Sequence, residues 1–137
     1  MIGRLKQCTM VLAALCILGM GTQHVAAGLP DVKENATSNY AKTRYPLVMP
    51  HGWLVWSRIG SESFNINYWY QILPDLARHG SRIFAAQLSP AHTTEFRGEQ
   101  LIAQVEEVIA ISGQNKVNLI GHSHGGPTVR YVAAVQS

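Results

Sequence analysis

The sequence predicts a layered α/β fold, a parallel sheet flanked by helices, and three observations carry that prediction. Three short apolar runs, at residues 45–49, 82–88 and 116–120, are each closed by glycine, proline or serine, as buried parallel strands are. Longer segments separate them, one with a clear helical stripe. The resulting alternation of strand and helix, three times over, requires parallel pairing through right-handed crossovers.

Ahead of these elements lies a segment with a different character. Arg4 and Lys6 give a positive start, the uncharged apolar run Met10–Met20 follows, and Val25, Ala26 and Ala27 are small. That is the pattern of a secretory signal peptide over residues 1–27, cut after Ala27. The apolar run is shorter than the roughly 20 residues a membrane span needs. Both cysteines, Cys8 and Cys16, lie inside this leader, so the segment from Gly28 onward holds no thiol and must fold on a hydrophobic core. The formal charge falls from +3 to +1 as Arg4 and Lys6 leave, so the basic pI is no argument for a nucleic-acid partner. Residues 28–44 are polar and aperiodic and read as an extended or mobile lead-in. Residues 45–137 carry the fold.

The first strand is Tyr45–Met49, closed by Pro50-His51-Gly52. The segment 67–79 places Trp69, Ile72 and Leu76 on one face, with Pro74 starting its second half and Gly80 ending it. The second strand is Arg82–Leu88, closed by Ser89-Pro90. A helix is expected over about 96–112, where Leu101, Ile102, Val105, Val108 and Ile109 form one apolar stripe. Glu99, Gln100, Glu106 and Glu107 lie off that stripe, and Gly113 is its stop. The third strand is Lys116–Ile120, closed by Gly121. A last helix is expected from about Gly125, with Val129, Val132 and Ala133 facing inward.

Chemistry gathers after the strands, where open α/β sheets place their ligands. Gly121-His122-Ser123-His124-Gly125 reads G-x-S-x-G between a strand and a helix, the setting of a nucleophilic serine on a strained turn. Ser123 is the candidate nucleophile. The backbone N–H of His124 opens the following helix and is a candidate oxyanion donor, with the helix dipole favouring negative charge there. The backbone N–H of Trp53, after the first strand, is the second candidate. Neither His122 nor His124 is a suitable base, because neighbours of an elbow serine point away from its Oγ. Beyond His124 the chain holds no Asp, Glu or His. The triad therefore cannot be completed in the order this fold uses, and the chain reads as a truncated, inactive fragment whose open sheet edge is prone to aggregate.

With these motifs in place the sequence resembles the foldase-dependent secreted triacylglycerol lipases of Gram-negative bacteria, in the α/β-hydrolase superfamily. The likeness runs over residues 41–135. It is most specific at Asp75–Arg78, at Arg97–Val108 and at Lys116–Ala134, which includes the Gly-His-Ser-His-Gly-Gly elbow. The resemblance implies a partial α/β-hydrolase fold, three parallel strands ordered second-first-third with flanking helices and the C-terminal half of the sheet missing. It implies Ser123 as nucleophile, Trp53 and His124 as backbone oxyanion donors, and Arg97 as a support of the oxyanion loop. It further implies long-chain acylglycerol esters at a lipid–water interface as substrate, a lipase-specific foldase as partner, and export through the periplasm to the outside. A short-chain carboxylesterase is the alternative. The family's triad Asp and His, its structural calcium and its lid helix have no counterpart within residue 137, so no cofactor is assigned to this chain.

Two positions depart from the family pattern. Met49-Pro50 stands where Leu-Val is more usual, and Val55 where glycine is frequent, which matters if that position needs positive φ. The aromatic residues Trp53, Trp56, Tyr68, Trp69 and Tyr70 fit either an acyl-chain pocket or ordinary core packing.

Overall fold

The computed structural model describes residues 31–32, 35–55, 58–60 and 65–137, so the signal peptide and Trp56 lie outside the described residues. Its elements are β1 (Asp31–Val32), β2 (Leu47–Pro50), β3 (Arg58–Gly60), β4 (Asn65–Asn67), α1 (Ile72–Arg78), β5 (Ile83–Ala86), α2 (Thr94–Ser112), β6 (Asn118–Leu119) and α3 (Gly125–Val135).

The main sheet has the order β1-β5-β2-β6. β2 is its centre, parallel to β5 with Leu47 opposite Ile83, and parallel to β6 with Val48 opposite Leu119. The three predicted strands are therefore parallel and in the predicted order. Side chains on β2 and β5 alternate between two faces, as the pleat dictates. Val48, Phe84 and Ala86 join Leu88, Leu101, Val108 and Val132 beneath α2 and α3. Leu47, Met49, Ile83 and Ala85 join Trp69, Leu73 and Ala77 on the α1 side. Both strands are buried along their whole length.

Helix ends follow local chemistry. α2 begins two residues earlier than its apolar stripe suggests, because the Thr93 side chain accepts from Phe96 N–H and caps it. Gly113, at φ 66°, ends it as expected. α1 is shorter than the segment 67–79, and Pro74 falls within its first turn, where a missing N–H costs no helical bond. On α3 the buried positions are Gly125, Thr128 and Val132, while Ala133 is exposed rather than inward. Thr128 tolerates burial because its hydroxyl donates to the His124 carbonyl at 2.8 Å.

Two features depart from expectation. The polar lead-in is in part ordered: Asp31–Val32 pair antiparallel with β5. Further along, Thr37 N–H and Ala41 N–H donate to Arg78 and His79 carbonyls, each at 2.8 Å. These are carbonyls that the end of α1 leaves without helical partners. The second feature is the β3–β4 hairpin, with Ile59 opposite Ile66, between the first strand and α1.

Candidate active site

The site lies at the C-terminal ends of β2 and β6. Ser123 is exposed and has φ 55°, the left-handed region that a residue with a Cβ enters at some cost. The surroundings hold it there. Gly125 N–H donates to His122 O and Gly126 N–H to Ser123 O, each at 2.9 Å, closing the turn into α3. A Cβ on Gly121 would stand 2.2 Å from the Gly125 carbonyl oxygen, and one on Gly125 would stand 2.4 Å from that of Pro50. The two glycines of the motif are thus required by backbone approaching backbone.

The loop after β2 folds over the serine. A Cβ built on Gly52 would lie 3.2 Å from Ser123 Cβ and 3.4 Å from its Oγ. Leu54 N–H donates to the Pro90 carbonyl at 2.6 Å, tying this loop to the one after β5. The positive φ in the loop falls at Leu54 (φ 56°), so the branched Val55 does not meet the strain its position suggested.

Arg97 is fully buried and fans onto three carbonyls. Its guanidinium donates to Ser89 O, to His51 O at 2.6 Å and to Gly52 O at 3.1 Å. Arg97 is therefore no solvated charge at a helix start, and its contacts are with the loop that the resemblance assigned it to support. Burial depresses its pKa from the usual value, and the carbonyl dipoles that accept from its two terminal nitrogens offset the charge, while Nε is without a partner among the described residues. Gln100 and Gln104, off the apolar stripe of α2, clasp the exit of β5. Gln100 accepts from Ser89 N–H at 2.9 Å, and Gln104 accepts from Gln87 N–H at 2.9 Å.

The Gly52–Trp53 peptide is trans, so its carbonyl and N–H point to opposite sides. With the carbonyl held on Arg97, the Trp53 N–H faces away from it. Among the described residues, neither Trp53 N–H nor His124 N–H donates to a protein acceptor. Two backbone donors thus stand unused, one on the residue after Gly52 and one on the residue after Ser123.

The histidines flanking Ser123 are engaged elsewhere. His122 Nδ1 bonds the Tyr68 hydroxyl, and His124 Nε2 lies 2.9 Å from Thr94 Oγ1. Burial, then the nearby Arg97 charge, lower the His124 pKa. No histidine nitrogen among the described residues is hydrogen-bonded to Ser123 Oγ. No three His, Cys, Asp or Glu side chains among them converge as metal ligands either.

The aromatic residues divide. Trp69 is buried in the α1-side core, Trp53 and Tyr70 are exposed, and Tyr68 turns its hydroxyl toward Gly52 and His122. Tyr68 reaches the site only through the long connection after β2, and no local motif marks it.

Comparison with known proteins agrees with this geometry. Residues 45–136 match the family described as alpha/beta hydrolase fold. The chain is 47% identical over 97 residues to a triacylglycerol lipase of Vibrio cholerae, covering 71% of this chain and 30% of that protein. It is 47% identical over 105 residues to one of Burkholderia plantarii (73% and 28%), and 48% identical over 101 residues to one of Pseudarthrobacter phenanthrenivorans (70% and 30%). The chain therefore spans less than a third of the length of these relatives. A parallel sheet centred on β2, a serine on a glycine-walled turn and a family match across both place this chain in the α/β-hydrolase fold family.

Proposed function

We propose that this chain carries the nucleophile and oxyanion-binding part of a carboxylic-ester hydrolase acting on acylglycerols. The observation that carries the proposal is the exposed Ser123 at positive φ, packed close to Gly52, with the backbone N–H groups of the following residues, Trp53 and His124, uncommitted. In the reaction Ser123 Oγ attacks the ester carbonyl carbon as a general base takes its proton. The carbonyl oxygen gains negative charge and is held by the two N–H groups, with the α3 dipole adding to them. Collapse expels the alcohol, and water, attacking the acyl-enzyme in the same way, releases the acid and restores the serine. Arg97 holds the loop that presents Trp53. The base and its acidic partner are not assigned to any residue of this chain.

Long-chain acylglycerols are the proposed substrate because the relatives are triacylglycerol lipases; a short-chain ester preference is the alternative. Export with residues 1–27 as leader, and folding assisted by a lipase-specific foldase, belong to the same proposal and rest on the sequence alone.

Because the chain spans less than a third of these relatives, the test joins it to the rest of one. Residues 45–137 replace the aligned stretch of the Vibrio cholerae lipase, and hydrolysis of p-nitrophenyl butyrate and palmitate is followed. Turnover on palmitate that disappears with Ser123→Ala is expected. Turnover on butyrate alone selects the short-chain reading, and turnover that survives Ser123→Ala rejects the nucleophile.

A further inference from the structure

The ring of His51 is fully buried, yet the reaction just described gives it no role. It bridges the two loops that frame the site. Its Nδ1 lies 2.9 Å from the Gly52 carbonyl oxygen. Its Nε2 lies 3.0 Å from Leu88 N and 3.1 Å from Leu88 O. Three proton arrangements are possible, and the partners decide among them. A proton on Nε2 alone gives one bond, to Leu88 O, and sets the Nδ1 lone pair against the Gly52 carbonyl. A proton on Nδ1 alone gives two bonds, Nδ1–H to Gly52 O and Leu88 N–H to Nε2, against one lone-pair contact, Nε2 with Leu88 O at 3.1 Å. Two protons would leave Leu88 N–H without its acceptor and bury a cation beside Arg97.

We propose that His51, neutral and protonated on Nδ1, is a positioning residue that shares the Gly52 carbonyl with Arg97 and so fixes the direction of the Trp53 N–H. The peptide between Gly52 and Trp53 is a rigid plane, so anchoring its oxygen sets its hydrogen. Arg97 alone leaves the plane free to pivot about a single 3.1 Å bond. The second donor, 2.9 Å away on the ring, removes that freedom. The ring is itself held at its far nitrogen by the loop after β5. Burial, foremost, and then the Arg97 charge depress the His51 pKa, outweighing the carbonyl contacts that raise it. Arg97 on α2 and Tyr68, whose ring centroid lies 6.0 Å away, are the charged and titratable groups facing it. The inference rests on the oxyanion reading of Trp53 and deepens it.

Long-range proton–nitrogen NMR spectra of the full 15N-labelled chain test it. The wild type is expected to show a protonated Nδ1 and an unprotonated Nε2 at His51. His51→Asn keeps a donor near the Nδ1 position, whereas His51→Gln reaches toward Leu88 and abandons Gly52. The Trp53 amide signal should shift in His51→Gln and return toward its wild-type position in His51→Asn, with the Leu88 amide showing the opposite pattern. A proton on Nε2 in the wild type, or a Trp53 amide indifferent to both substitutions, overturns the proposal. The wild-type tautomer decides the matter if either variant fails to fold. Neither readout requires turnover, so a failed hydrolase reading would appear in the Ser123→Ala assay and not here.

Discussion

The two margins of β2 are built on opposite terms. At its C-terminal end, backbone meets backbone within van der Waals limits, and buried side chains bind backbone: the two terminal nitrogens of Arg97 donate to three carbonyls, and His51 bridges two loops. Along β6 the construction is loose. Asn118 and Leu119 are only half-buried, Ile120 is exposed, and a groove of about 320 Å³ runs between α2, α3 and that strand. It is lined by Ile102, Val105, Val117 and Leu119, with Ile111 and Val135 exposed on the helices nearby. The contrast teaches where specification lies. The turn that holds Ser123 is determined by contacts within this chain, whereas the β6 edge presents backbone groups and apolar surface that the described residues do not cover.

The largest expected effect breaks the tight margin. Gly125→Ala places a methyl 2.4 Å from the Pro50 carbonyl, where only backbone can move. A loss of about 3 kcal/mol, at the upper end of overpacking costs, should appear as a lowered midpoint in urea titration. A midpoint like that of wild type would mean the elbow relaxes freely. Arg97→Met comes next. It keeps bulk but strands the carbonyls of His51, Gly52 and Ser89, at about 1–3 kcal/mol for each buried acceptor left unmatched. The same titration measures it, and the Trp53 amide resonance should shift as the loop loosens.

A third prediction concerns protons. His51 and His124 both have folded-state pKa values below the ordinary 6.5. Below about pH 6.5 the unfolded chain therefore binds more protons than the folded one, and stability falls as pH drops from there toward the folded values. Melting temperatures taken from pH 7.5 down to 5 should decline, and the decline should be shallower in His51→Asn. The smallest effect sharpens the other side of the comparison. Ile120→Lys puts a charge on the β6 edge while sparing the Ile120 N–H bond to Val48 O at 3.0 Å. Stability should change by no more than about 0.5 kcal/mol. Self-association, followed by sedimentation velocity, should fall.

Much of the tight margin was legible in the residues. A strand before G-x-S-x-G and a helix after it led to the elbow, and the steric demand for Gly121 and Gly125 followed from the turn itself. The strand order came with the likeness to a family. What was not legible depends on long-range partners. Asp31–Val32 carry no apolar pattern, and they pair because β5 offers an edge. Ala133 lies beside Val132 on α3, but at the β6 side none of the described residues covers it. Tyr68 and the ring of His51 enter the site from segments whose local sequence speaks only of packing and of a turn. The positive φ at Leu54 has no glycine to announce it. Arg97 was indicated only by likeness to a family, since an arginine at a helix start is otherwise solvated.

The central claim is that Ser123 is the nucleophile. A fluorophosphonate probe tests it most directly on residues 45–137 joined to the remainder of the Vibrio cholerae lipase, with the adduct located by peptide mass spectrometry. The account predicts one adduct per chain, on the peptide containing Ser123, and none after Ser123→Ala. An adduct on another hydroxyl, or labelling unchanged by that substitution, would contradict it.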